Sequence, residues 1–215
     1  MLSTLMLLAA TAGTPTIPSG TYTYSAAVAG KAVGTSTLTV KAGPPIEIDE
    51  QAIGGSGAQA SSAKATLMLG PDLAPISYTG NYNTAGAPNS VSATLTPTTA
   101  TVGQQTYPLT GNAKHFVVAE LGLTAGLFVL PAQMQAWNNA TALVVAPAMV
   151  GMAGTIAIAP DNSLAGARPA AVPAQDLALA IGGQFPFTIW YDPATYVPDE
   201  IDVPSQNVVV SRVRQ

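Results

Sequence analysis

The chain has no cysteine, a single histidine, and only 8% Asp, Glu, Lys and Arg among its 215 residues. Each scarcity removes a class of chemistry. Without cysteine there is no disulfide, no thiolate metal site, no Cys nucleophile and no lipid attachment to a Cys behind a leader. With one histidine, a Ser-His-Asp arrangement or an ordinary zinc site would have to be built on His115. That residue precedes Phe116, Val117 and Val118 in an apparent strand, and no G-x-S-x-G elbow accompanies it. The seven basic residues are scattered singly (Lys31, Lys41, Lys64, Lys114, Arg168, Arg212 and Arg214) and the net charge is −4. Nucleic-acid binding draws most of its affinity from a basic patch, and anionic membranes recruit polybasic segments; neither feature is present. Gly54-Gly55-Ser56-Gly57 and Gly182-Gly183 lack the Lys-Ser/Thr ending of a phosphate loop. The apolar run from Leu2 to Ala10 is far short of the roughly 20 residues needed to span a bilayer as a helix.

What the chain does have is apolar content, 48% of all residues. That is enough to fill a core, and it excludes the low-hydrophobicity, high-charge signature of disorder. The surface must then be covered largely by Thr, Ser, Asn, Gln and Gly. The first residues are of a different kind. Leu2, Leu5, Met6, Leu7, Leu8, Ala9 and Ala10 form a short apolar run, and Ala10-Thr11-Ala12 has the small-x-small pattern of a signal-peptide cleavage site. No Lys or Arg precedes the run. The expected organisation is a signal peptide over residues 1–12, a flexible tail over 13–19 and one β domain over 20–215, located in the periplasm or secreted, with no membrane span in the mature chain.

Short strands and turns dominate the rest. Thr21-Tyr22-Thr23-Tyr24-Ser25 alternates, Ala29-Gly30-Lys31 supplies a turn, and Val33 to Val40 alternates again, which reads as an opening β-hairpin. Pro44-Pro45 interrupts the pattern. Segments 46–49, 59–69, 76–82, 90–96 and 99–107 continue it. Thr124 to Trp137 has closer to helical spacing, and Pro131 inside it predicts a short or broken helix starting near the proline. The hairpin 177–191 and a final strand 201–213 close the chain. About ten to twelve strands, one short helix and no βαβ alternation predict an all-β fold: a curled antiparallel sheet, half-barrel or barrel-like.

The two ends carry a resemblance. Gly20-Thr21-Tyr22-Thr23-Tyr24, then Gly30 and Val33-Gly34, opens the chain. Phe187-Thr188-Ile189-Trp190-Tyr191-Asp192-Pro193, then Tyr196, Pro198 and Arg212, ends it. This resembles exported Gram-negative domain-of-unknown-function families with a G-x-Y-x-Y opening hairpin and a W-Y-D-P closing turn, similar to lipoprotein-carrier half-barrels. The resemblance covers about a quarter of the chain. It implies location and fold and assigns no catalytic residue.

No catalytic or metal constellation is legible. Asp199, Glu200 and Asp202, bracketed by Pro198 and Pro204, read as a solvated turn with no calcium-loop spacing. Glu47 and Asp49 share one strand face and read as its wet side, with Glu50 beside them. A glycosidase carboxylate pair usually sits in an aromatic-lined cleft, and aromatics are only 6% here. Asp192 before Pro193 reads as a turn cap, and Arg212 and Arg214 as partners for Asp192 or Glu200. No cofactor is expected. The leading expectation is a non-enzymatic protein that binds or carries a small lipophilic ligand in the concavity of the curled sheet, lined by Leu127, Phe128, Leu130, Met134, Trp137 and Trp190. The same six residues would serve equally to fill a core. The alternative is a structural protein that engages a cell-envelope component and has no small-molecule site. A hydrolase is the third reading, and it requires acids converging near His115 or Asp192.

Overall fold

A computed structural model describes residues 15–55, 60–120, 122–149, 155–183 and 186–214. The expected signal peptide, part of the tail and part of the Gly54–Gly57 turn lie outside these residues. Eight strands follow one another as a meander: β1 (Gly20–Val28), β2 (Lys31–Lys41), β3 (Ile46–Gly54), β4 (Ser61–Leu69), β5 (Pro75–Thr84), β6 (Ala87–Leu95), β7 (Thr99–Val102) and β8 (Gln105–Pro108). Then come β9 (His115–Val118), the helix α1 (Ala125–Ala136), β10 (Ala142–Val145), β11 (Thr155–Pro160), β12 (Leu177–Gly182), β13 (Phe187–Tyr191), β14 (Pro198–Val203) and β15 (Val208–Val213).

All fifteen described strands form one sheet, in the order 8-7-6-5-4-3-2-1-15-14-13-12-11-10-9. Its middle seam is the antiparallel pairing of β1 with β15, where Tyr24 faces Arg212 and Ala26 faces Val210. The sheet rolls until β9 packs against β5 and a 3-10 turn at Pro147–Met149 packs against β6. The outermost strands, β8 and β9, do not pair, so the roll is barrel-like but unclosed. This is the curled, mainly antiparallel architecture the alternating pattern predicts.

Period-2 alternation decides which side chains face inward. Tyr22 and Tyr24 on β1, Ser36, Leu38 and Val40 on β2, Ile48, Glu50 and Ala52 on β3, and Ala65, Leu67 and Leu69 on β4 are all buried. The β1–β2 and β5–β6 turns, Ala29-Gly30 and Ala85-Gly86, hold positive φ at both central positions. That twist matches the flanking strands of a two-residue hairpin.

The helix fills the roll, so the core is a sheet wrapped around α1. Ala125, Phe128, Val129, Leu130, Pro131, Ala132, Gln133 and Met134 are buried. A helix apolar on every side is a buried helix, which is why its boundaries carry little periodic signal. It runs unbroken from Ala125, well before Pro131, and this corrects the expected start. Pro131 withholds the N–H that would reach the Leu127 carbonyl, a cost of about 3 kcal/mol in a helix interior. Burial of a Phe128- or Leu130-sized side chain returns about 1.5–3 kcal/mol each, so packing outweighs the defect.

Two further expectations are corrected. β9, α1 and β10 make one βαβ crossover, and β9 pairs with β10 in parallel from His115↔Ala142 to Val118↔Val145. Four-residue strands are too short to announce it. The expected last strand is two strands, split by the 3-10 turn Pro204–Gln206 and a left-handed Asn207.

Candidate functional site

The helix is fastened at both ends by groups distant in sequence. At its N-terminus the Thr124 and Ala125 amides donate to the Glu50 carboxylate at 2.7 and 2.8 Å, and the Ser36 hydroxyl also donates to Glu50. A carboxylate is the favoured partner for these free amides and for the positive end of the helix dipole. Burial nevertheless pushes the Glu50 pKa upward against those hydrogen bonds. At the C-terminus Gln133 Nε2 donates to the Leu73 carbonyl and Trp137 Nε1 to the Asp72 carbonyl, both at 2.9 Å. In the first turn, Gly126 lies so close to β9 that a Cβ there would stand 1.7 Å from the Val118 carbonyl oxygen.

Between the N-terminus of α1 and the inner wall of the roll lies a cavity of about 450 Å³. Its apolar wall comes from Ala26 and Val28 on β1, Ala52 on β3, Ala63 on β4, Leu123 and Leu127 at the helix, and Ile201, Val203, Val208 and Val210 on β14 and β15. Small side chains on β1, β3 and β4 leave this space. Further along, Tyr22 on β1, Leu38 on β2, Ile48 on β3 and Leu67 on β4 are buried and fill the roll. Val28, Val33 and Ile53 line the cavity and remain 39%, 41% and 65% exposed, so the mouth has an apolar rim. Ser36, Tyr82, Thr84, Thr124 and Glu120 supply polar atoms.

Among the described residues Glu120 is the one charged side chain in that wall. It accepts a hydrogen bond from the Ala148 amide at 2.6 Å. Burial exceeds the effect of that bond and raises its pKa to about 7. Nearby, the hydroxyls of Tyr78 and Tyr82 are hydrogen-bonded to each other. Burial above all raises both phenols; the bond to Tyr82 adds to the rise at Tyr78 and opposes it at Tyr82, which is pushed up to about 12, and the charges of Glu120 and Glu50 add smaller upward effects.

The six residues expected to line a binding concavity are distributed differently. Leu127 lines the cavity. Phe128 is inside the core, 5.1 Å from the Tyr22 ring and 6.3 Å from Tyr24. Leu130, Met134 and Trp137 pack in a second core cluster with Ile181, Ile189 and Ile201, and Trp137 stacks on His115 at 4.1 Å. Burial lowers the His115 pKa, with the Asp72 charge opposing, so His115 is an aromatic packing partner. Trp190 is buried on the other face of β13 from Ile189, under the Arg168 guanidinium at 5.1 Å.

Sequence reasoning did not single out Glu120, and it grouped Glu50 with Glu47 and Asp49 without giving it a role. Both left a signal. Glu120 is the only acid between Asp72 and Asp161. Glu47 and Asp49 share the wet face of β3, where Lys41 pairs with both; by parity Glu50 must point inward.

The acids read as a solvated turn are also placed differently: Asp199 and Glu200 are buried in β14. Asp199 takes ion pairs from Arg212 at 3.4 Å and Arg214 at 2.7 Å, in place of the expected Asp192 or Glu200 partners. Asp192 caps its turn through the Ala194 amide and Thr195 hydroxyl, as its position before proline predicts. Asp176 is fully buried beside Asp199 with neither oxygen hydrogen-bonded, and burial, then the neighbouring Asp199, raises it to about 6. Asp192, Asp199, Arg212 and Arg214, with Tyr22 and Gln175, line a polar cavity of about 440 Å³ at the opposite end of β1. Among the described residues no cluster of His, Asp and Glu is arranged to hold a metal ion, and no helix is long and apolar enough to cross a membrane.

The architecture and its plugged interior define a class: a barrel-like β-protein with a helix inside an unclosed roll. Neither a protein-family model nor a curated protein sequence matches the chain. Two solved structures share the fold. One is a beta-barrel-like protein of domain of unknown function DUF1849 from Brucella abortus, with TM-score 0.56 and 10% identity over 93% of this chain and 96% of that one. The other is a DUF1089 family protein from Pseudomonas aeruginosa, with TM-score 0.52 and 9% identity over 80% of this chain and 90% of that one. At these identities the likeness is one of fold: the chain is all-β and barrel-like.

Proposed function

We propose that this chain is an exported, non-enzymatic protein that binds or carries a small, mainly apolar ligand in the cavity at the N-terminus of α1. The observation that carries the reading is the 450 Å³ space itself. Phe128, Leu130 and Met134 of α1 are buried in the core beyond it, whereas this end is left open by small residues, Ala26 on β1, Gly34 on β2, Ala52 on β3 and Ala63 on β4. Its size and mixed lining, a mainly apolar wall with a few placed polar atoms, are those of small-molecule sites. The exposed Val28, Val33 and Ile53 at the mouth give a lipophilic molecule an apolar path inward. Export rests on the short apolar run and the Ala10-Thr11-Ala12 pattern at the start of the sequence.

The test is a fluorescence titration with the neutral dye N-phenyl-1-naphthylamine. Saturable binding is expected, and Ala63→Phe, which fills the cavity, should weaken it about tenfold or more while the β-type circular dichroism is retained. No saturable binding, or binding indifferent to Ala63→Phe, refutes the reading. Export is tested separately by fractionating cells that express the full chain and measuring the mass of the product; a cytosolic protein retaining residues 1–12 refutes it.

A further inference from the structure

We propose that the cavity selects lipophilic amines and rejects lipophilic carboxylates, with Glu120 as the group that receives the ammonium. This rests on the reading of the cavity as a ligand site and names the ligand's polar end.

The argument starts from what the wall holds. Among the described residues, Glu120 is the only Asp, Glu, Lys, Arg or His that lines the cavity. An apolar molecule with a carboxylate head would bring a second negative charge into a space with no cation to meet it, and uncompensated buried charge is costly. Helix N-termini are the usual way for a fold without lysine or arginine to hold an anion. Here that route is closed, because the Thr124 and Ala125 amides are already bonded to Glu50 at 2.7 and 2.8 Å. Arg212, the nearest arginine along the β1–β15 seam, is paired with Asp199.

Glu120 itself has capacity to spare. Among the described residues the Ala148 amide donates to its Oε1, and a carboxylate has lone pairs for several donors. A primary ammonium offers three donors and a full charge, and charge-assisted bonds in desolvated surroundings are the strong ones. The remaining titratable groups near Glu120 are Glu50 on β3 and Tyr78 and Tyr82 on β5. None is cationic, so the local field favours a positive head. Because burial raises Glu120 to about 7, the carboxylate that pairs with an amine forms only as pH rises through neutrality. Amine binding should tighten from pH 6 to pH 8.5.

Displacement of N-phenyl-1-naphthylamine by dodecylamine, dodecanol and dodecanoic acid, each below its micellar concentration, tests the proposal. Dodecylamine should compete best at pH 8.5, weaken about fivefold or more at pH 6, and outcompete dodecanoic acid by about tenfold or more at pH 8.5. Glu120→Gln keeps an acceptor for the Ala148 amide. It should remove the pH dependence and bring the amine down to the level of dodecanol. Thr84→Lys, at the exposed rim, should shift preference toward dodecanoic acid, and it checks charge selection without touching Glu120. Equal competition by amine and acid, or a Glu120→Gln protein that keeps the amine preference, overturns amine selection while the dye signal leaves the ligand site standing. Absence of dye binding in the parent overturns both.

Discussion

Gly126→Ala separates helix propensity from packing, because the two predict opposite signs. Gly126 is the second residue of α1. Replacing a helical glycine by alanine stabilises an isolated helix by about 0.5–1 kcal/mol. In this fold the new Cβ would stand 1.7 Å from the Val118 carbonyl oxygen, and contacts under about 3 Å do not occur without movement. Helix or strand must separate by more than 1 Å. The helix cannot move freely: its first amides are held by Glu50, and Phe128 is set between Tyr22 and Tyr24. The strand cannot either, since Val118 is paired with Val145 and the Ala119 amide donates to the Val145 carbonyl at 3.0 Å. Overpacking costs about 1–3 kcal/mol, and loosening hydrogen bonds to a charged acceptor costs about 1.5–3 kcal/mol. The expected net loss is about 2–4 kcal/mol, or a melting temperature lower by roughly 5–15 °C for a domain of this size. Urea unfolding followed by far-UV circular dichroism measures it. An alanine variant as stable as the parent, or more stable, would show that the crossover does not approach β9 in the way described.

Two further outcomes follow from the buried carboxyls. Glu120 has an ordinary value of 4.5 and is raised to about 7 in the folded chain. Between those values the native state holds a proton that the unfolded chain has released, so stability is greatest below about pH 4.5 and falls as pH rises through 7. At about 1.4 kcal/mol per unit the ceiling is about 3 kcal/mol, reduced to about 1–2 kcal/mol by residual hydration. Glu120→Gln should remove that part of the decline between pH 5 and pH 8 in chemical denaturation; parallel curves for parent and variant would refute the assignment. Glu50→Ala should cost about 2–4 kcal/mol, because it strips the Thr124 and Ala125 amides of their acceptor and leaves a void. Faster hydrogen exchange at those two amides checks it, and protection unchanged from the parent would contradict the cap.

The strands were readable because their signal is local. In Thr21–Ser25 and Val33–Val40 successive residues alternate between a solvated and a buried face, and neighbours in sequence suffice to show it. The helix was readable as a segment but not at its start, because a rod surrounded by core has no polar face to mark its phase. The parallel β9–β10 pair was hidden for a related reason: both strands are short, and the crossover's evidence is a contact between Gly126 and Val118. The acids were misread where register decides their surroundings. Asp199 looks solvated beside Pro198, yet the β14–β15 pairing brings Arg212 and Arg214 to it. The cavity was legible only as a concavity. Its position depends on where alanines on β1, β3 and β4 fall abreast, which requires the register of three pairings.

The seam joining β1 to β15 also governs how the molecule can be assembled. The first half of the sheet is a run of neighbouring hairpins, and the second adds the parallel β9–β10 crossover; each can form as its residues become available. The two halves meet only through the earliest and latest strands, whose union closes almost the whole chain into a loop, and such closure is slow. Until Val208–Val213 is delivered, Tyr24 and Ala26 have an open edge beside them and the cavity lacks Val208 and Val210 from its wall. Completion of the cavity wall therefore waits on the final strand, and any ligand capture has to follow it.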